Sequence, residues 1–235
     1  MKLLIDIGNT SAKLAVSNEG EIVHFERRNE AWIDAFSRLN REYSIDKIAI
    51  SSVAGPDAEL DEALEQIAIP FVRIAWDTRC PVKELKGIPE GYGADRIAAD
   101  FAAVAMDPVH PILVIDAGTC ITYDLFSAEG EILGGVISPG VQLRLKAMHD
   151  HTALLPLIKA ESDAPLFAMD TKGCLLAGAV RGAQFEVIGY IREVLREIPD
   201  IHVFLTGGND FEIPDDIVSH VTKDSCLVLK GLDLL

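Results

Sequence analysis

The sequence predicts an α/β protein built from two tandem copies of a β-β-β-α-β-α unit, residues 1–109 and 110–235, and two observations carry that prediction. Residues 3–22 (LLIDIGNTSAKLAVSNEGEI) align without a gap to residues 113–132 (LVIDAGTCITYDLFSAEGEI) at an offset of 110 (116 − 6). Leu3/Leu113, Ile5/Ile115, Asp6/Asp116 and Gly8/Gly118 are identical, as are Ser17/Ser127 and residues 19–22 with 129–132. After each copy the apolar pattern changes from strand-like runs to helical periodicity. The chain of 235 residues accommodates two such domains, each large enough to bury a core.

Each copy opens on an apolar run (Leu3-Leu4-Ile5; Ile112-Leu113-Val114-Ile115) that reads as a buried central strand. The D-x-G that follows makes a tight turn, its glycine free to take positive φ and to bring backbone close to a ligand. A second strand (12–16; 121–126), a turn and a third strand (21–25; 131–136) complete a meander. In the first half Trp32, Phe36, Leu39 and Tyr43 fall at helical spacing, as do Leu60, Leu64 and Ile67. Strands are expected at 47–52 and 71–75, and Ile97, Phe101 and Val104 mark a helix that stops before Pro108. In the second half one long helix is expected over 173–198, ended by Pro199, followed by a strand at 201–206.

Composition narrows the partners. The formal net charge is −16, with no Lys/Arg run to make the basic face a nucleic acid requires. Cys80, Cys120, Cys174 and Cys226 are scattered, without C-x-x-C or zinc spacing, and read as reduced thiols. The opening MKLLIDIGNT is interrupted by Asp6 too early for a signal h-region or a membrane span, so a cytoplasmic protein with no membrane partner is expected.

Three motifs carry candidate chemistry. The hairpin Asp6-Ile7-Gly8-Asn9-Thr10-Ser11-Ala12-Lys13 offers backbone N–H groups, hydroxyls and an ammonium to phosphate oxygens, with Asp6 placed to hold a bridging metal ion. A lone D-x-G is more often a plain turn; its repetition at Asp116-Ala117-Gly118-Thr119 favours two phosphate clasps. The strand end Leu205-Thr206-Gly207-Gly208-Asn209 lets backbone approach an adenine or ribose. In Gly91-Tyr92-Gly93-Ala94-Asp95-Arg96 an acid and a base open a helix, where helix-dipole stabilisation and catalysis are equally good readings. His149-Asp150-His151 reads as solvated or capping residues, and Trp32 and Trp76 as packing.

This ordered set resembles the sugar kinase/heat-shock ATPase/actin superfamily and, within it, the type III pantothenate kinase family. The resemblance runs over nearly the whole chain. It includes Ile50-Ser51-Ser52-Val53, Gly134-Gly135-Val136-Ile137-Ser138-Pro139-Gly140, His149 with Thr152-Ala153-Leu154-Leu155-Pro156, and Asp170-Thr171 ahead of Gly178 and Gly182. It implies two ribonuclease H-like domains of the actin-like ATPase superfamily with the active site in the cleft between them. The implied reaction is ATP-dependent phosphorylation of pantothenate to 4′-phosphopantothenate, which opens coenzyme A synthesis.

By the same resemblance Asp95 accepts the pantothenate hydroxyl proton, and Gly93, Ala94, Asp95 and Arg96 line the substrate pocket. Asp6, Ile7, Gly8, Asn9, Thr10, Ser11, Ala12, Lys13 and Thr119 contact ATP, with Gly207 and Gly208 at the adenosine. Asp116 holds a monovalent cation, potassium or ammonium, magnesium accompanies ATP, and Thr171 reaches pantothenate from the partner subunit of a homodimer. There are departures: Lys86 stands where the family often has Tyr, placed to lie along the pantothenate carboxylate, and Lys13 stands where a neutral residue is frequent. Alternatives are a kinase or phosphatase for another small molecule, or a regulatory relative that has lost catalysis.

Overall fold

In the computed structural model residues 1–29, 32–55 and 58–235 are described. Two compact units emerge: unit 1 comprises Met1–Pro108, Gly130–Ile132 and Cys226–Leu235, and unit 2 comprises Val109–Glu129 and Leu133–Ser225.

The first apolar run becomes β1 (Lys2–Ile7), followed by β2 (Ala12–Asn18), β3 (Glu21–Arg28), α1 (Trp32–Glu42), β4 (Lys47–Ser52), α2 (Ala58–Gln66), β5 (Phe71–Arg73) and α3 (Ala94–Met106). The sheet order is β3-β2-β1-β4-β5, with β1 antiparallel to β2 and parallel to β4. Leu3, Ile5 and Ile7 face one side, where they meet Phe36 and Leu39 of α1 and Leu60 and Leu64 of α2. Leu4 points the other way and is equally buried, so both faces of β1 are covered and its sequence is apolar without alternation.

Unit 2 repeats this arrangement with β6 (Ile112–Ala117), β7 (Cys120–Phe126), β8 (Ile132–Pro139), β9 (His202–Gly207) and β10 (Val221–Lys223), in the order β10-β9-β6-β7-β8. Read from its far edge, that order is the unit 1 order with each strand replaced by its repeat. Ile115, Ile121, Val203 and Leu205 pack with α4 (Val141–Asp150), α5 (Thr171–Leu176) and α6 (Gly182–Glu197).

Four features depart from the sequence reading. The helix expected over 173–198 is continuous over Thr171–Glu197, but it includes a π-helical turn at Ala177–Arg181 between α5 and α6. Gly178 lies within that turn and Gly182 follows it, and Arg181 donates from it to Ala164 O at 2.8 Å. By length and composition Thr171–Glu197 suffices to cross a bilayer, yet 50% of its most apolar window is buried, as in a core helix. The last helix, α7 (Leu227–Asp233), belongs to unit 1, although a division at 109/110 assigns it to the second half. It packs on α3 and β1. A Cβ on Gly231 would lie 1.7 Å from Ala98 O, so α3 and α7 touch backbone to backbone.

The third departure is one of register. In the first hairpin Ile7 pairs with Ala12 and Asp6 with Lys13, whereas in the second Ala117 pairs with Ile121 and Asp116 with Thr122. The second turn is one residue shorter, so the ungapped alignment loses register in the strand beyond it. A one-residue slip exchanges the faces of a strand. Thr122, not Tyr123, is therefore the counterpart of Lys13. Finally, neither Gly8 nor Gly118 has positive φ. Space is tight there instead: a Cβ would sit 3.3 Å from Ser11 O at Gly8 and 3.3 Å from Asp116 Oδ1 at Gly118.

Candidate active site

In unit 1 the pairing brings one row of side chains across the same face of the sheet. Asp6 lies between Ser51 of β4 and Lys13 of β2, and Lys13 lies opposite Arg27 of β3. Asp6 is 6% exposed, and its Oδ2 accepts from Lys13 Nζ at 3.3 Å. Its Oδ1 is buried without a hydrogen-bond partner, a costly state for a carboxylate that a cation would relieve. Ile7 ends β1, Gly8, Asn9, Thr10 and Ser11 form the turn, and Ala12 opens β2. The turn is closed by Gly8 N donating to Ser11 O at 3.1 Å, which leaves the Asn9 and Thr10 side chains exposed.

The same face receives the start of α3. Ala94 is its first residue and Gly93 its N-cap. Asp95 folds back so that Oδ1 accepts from Arg96 N at 2.8 Å, and a Cβ on Gly93 would meet that oxygen at 2.7 Å. Glycine thus leaves room for the carboxyl. Burial pushes the Asp95 carboxyl above the ordinary aspartate range, and the negative charge of Asp6 adds to the shift against the opposing Arg96 N–H and guanidinium. Two carboxylates close enough to perturb each other, one with an orphaned oxygen, form the kind of pair that active sites concentrate. Arg96 is itself held over the Tyr92 ring, Cζ 4.0 Å from the centroid.

In unit 2 Asp116 is flanked across the sheet by Thr122 of β7 and Thr206 of β9, hydroxyls where Asp6 has an ammonium on one side. Its turn, with Thr119 exposed, is braced from two directions. A Cβ on Gly140 would lie 2.3 Å from Gly118 O and 2.5 Å from Thr119 O. Gly207 has φ +102°, and a Cβ there would lie 2.5 Å from the Ala117 carbonyl carbon. Gly208 N and Asn209 N both donate to Ala117 O, and Asn209 Nδ2 bonds Ala117 O at 2.6 Å and Gly118 O at 3.0 Å. The Gly-Gly motif therefore has a structural duty toward its own clasp. Asn209, absent from the predicted site, is the residue that ties the two together.

The remaining predicted residues are placed as follows. The Lys86 side chain is exposed, while its backbone bridges to Gly130 O at 2.8 Å and from Ile132 N at 3.0 Å. Thr171 is the exposed first residue of α5, whose N-cap Asp170 accepts from Gly173 N at 2.9 Å. His149 Nδ1 lies 2.8 Å from Leu155 O, consistent with a structural histidine. Among the described residues there is no group of three His, Cys, Asp or Glu suited to a metal. The sequence reading named Ser51 only within the Ile50–Val53 motif and did not single out Arg27; the hairpin register, extended across β3 and β4, sets both in the row of Asp6 and Lys13.

A five-stranded sheet that occurs twice, with a carboxylate at the first turn of each copy, is the duplicated fold of the actin-like ATPase superfamily. A Listeria monocytogenes protein assigned by name to the N-acetylmannosamine kinases shares the fold with a TM-score of 0.54 at 13% identity, over 98% of this chain and 96% of that one. Residues 2–193 match the family described as type III pantothenate kinase, and the chain belongs to that family. A type III pantothenate kinase of Phocaeicola vulgatus is 39% identical over 233 residues, 99% of this chain and 96% of its own length. A Campylobacter jejuni structure carrying the name of a Baf family transcriptional activator is 25% identical, with a TM-score of 0.58 over 98% of this chain and 95% of that one.

Proposed function

We infer that this chain transfers the γ-phosphoryl group of ATP to the primary hydroxyl of pantothenate, giving ADP and 4′-phosphopantothenate. The observation that carries the reading is the Asp6–Asp95 pair at the mouth of the first hairpin, in a chain of this family. Asp95, its proton affinity raised by burial and by Asp6, takes the hydroxyl proton as the oxygen bonds to phosphorus and the bond to ADP breaks. Gly93, Ala94 and Arg96 line the pantothenate site, with Lys86 toward its carboxylate and Thr171 supplied by the partner of a homodimer. Residues 6–13 hold the phosphates, Thr119 assists, and Gly207 and Gly208 border the adenosine.

Magnesium at the orphaned Asp6 oxygen neutralises phosphate charge when bound. Asp116, between two threonine hydroxyls, supplies oxygen ligands for a potassium or ammonium ion. The proposed location is cytoplasmic, with neither nucleic acid nor membrane as a partner. The name carried by the Campylobacter neighbour favours a second reading, a regulatory protein without turnover; the −16 net charge argues against a nucleic-acid ligand for it.

A coupled ADP-release assay with and without pantothenate, in potassium and in sodium, tests the reading. Pantothenate-dependent turnover that is faster in potassium is expected. Pantothenate-independent or absent turnover in potassium would overturn it.

A further inference from the structure

We propose that Arg27, a residue of β3 outside the D-x-G-N-T hairpin, is a phosphate-binding residue of the nucleotide site, its guanidinium gripping the terminal phosphates of ATP. The proposal rests on the reading of the first hairpin as the ATP clasp and adds a residue to it.

The hairpin has one cation of its own, Lys13, and that ammonium is committed to Asp6 at 3.3 Å. A clasp whose lysine is neutralised by its own aspartate has little net attraction left for the four negative charges of ATP. Arg27 supplies what is missing. It lies directly opposite Lys13 in the β2–β3 pairing, so the two side chains share the face on which Asp6 lies. Its Nε donates to Ser11 Oγ at 2.9 Å, which fixes the guanidinium plane against the phosphate turn and leaves the terminal nitrogens to other acceptors.

Among the described residues no carboxylate pairs with Arg27, whereas Arg28 beside it is bound to Glu26 at 2.6 Å and Lys13 to Asp6. Thr10, Arg27, Arg28 and Asn29 line an open concavity of about 570 Å³ at this edge of unit 1, room for phosphate oxygens to reach the fork. An arginine is also the better chemical choice there, because its planar fork meets two phosphate oxygens at once. Ser11 has a definite part: it orients the arginine.

Calorimetric binding of ATP, ADP and AMP to the full chain, with magnesium present, tests the proposal in wild type, R27Q and R27K. Arg27 is exposed, so folding is expected to survive, and thermal melting checks it. R27Q should weaken ATP by about 10- to 100-fold, the range of a hydrogen bond to a charged group, with AMP changed less than about twofold. R27K, which keeps the charge without the fork, should fall between. In turnover KM for ATP should rise in step while KM for pantothenate holds.

Unchanged ATP affinity in R27Q, or an equal loss for ATP and AMP, would overturn the assignment. If wild type binds ATP but does not turn over pantothenate, the substrate reading fails and the ATP-against-AMP comparison still decides the role of Arg27. Absence of ATP binding by wild type would overturn both.

Discussion

Replacing Asp95 by Asn separates chemistry from architecture at one atom. The carboxyl touches the fold through Oδ1, which accepts from Arg96 N at 2.8 Å in the space Gly93 leaves open. An Asn Oδ1 accepts that bond equally well, so the start of α3 persists. What disappears is the capacity to take a proton and a negative charge beside Asp6. Positioned bases contribute about 10²- to 10⁴-fold, and a loose phosphoryl-transfer transition state asks little of the base. The lower end applies: kcat should fall about 100-fold, close to 2.7 kcal/mol of barrier.

ATP affinity should hold within about threefold, because the lost interaction belongs to the transition state. Steady-state kinetics in the coupled assay give kcat, and calorimetry gives ATP affinity. A D95N enzyme within fivefold of wild-type kcat, or one whose kcat loss is matched by a loss of ATP affinity, would refute the assignment of Asp95 as base.

Other expectations follow from the same geometry. Because Asp95 must be ionised to act and its carboxyl is pushed upward, kcat/KM should rise with pH through an apparent pKa above the ordinary aspartate value, a limb missing from D95N. The same shift has a stability sign. Below the unfolded-state pKa the group is neutral in both states and costs nothing. As pH rises through that value toward the folded pKa the stabilisation is lost, so D95N should melt above wild type at neutral pH and level with it in acid.

Gly207→Ala meets both a positive φ and the Ala117 backbone, and should cost about 2–3 kcal/mol and weaken ATP binding together with stability. Gly231→Ala forces α7 off α3 and should lower the melting temperature by several degrees, about 1–3 kcal/mol, with ATP affinity unchanged in the folded fraction. Tyr123→Phe removes the 3.0 Å bond to Glu186, which keeps its bonds to Ser138 and Arg144, so a loss of about 1 kcal/mol is expected in a denaturant melt.

The residues alone determined the duplication, the two meanders and the two aspartates, because strand periodicity, buried runs and turn glycines are properties of neighbours along the chain. The same local signals placed a helix start at Asp95 and a helix end at Pro199. They did not decide how the second hairpin pairs. An ungapped alignment sets Tyr123 against Lys13, and only the shorter turn 118–120 shows that Thr122 occupies that place. Nor did they decide where α7 docks, since its partner Ala98 is over a hundred residues away in the chain. Glycine roles divided in the same way. Gly140 and Gly207 were legible as turn residues, but their necessity comes from backbone atoms of the 117–119 turn that approach them from far along the chain.

Arg27 was not legible, being one of two adjacent arginines on a strand whose function depends on which face each presents. Pairing register assigns Arg27 to the Lys13–Asp6 row, and an ion pair with Glu26 occupies Arg28. Local sequence chose the elements and their chemistry. Tertiary pairing chose which side chains share a face, because the two-residue period of a strand turns a single inserted or deleted residue into a change of side.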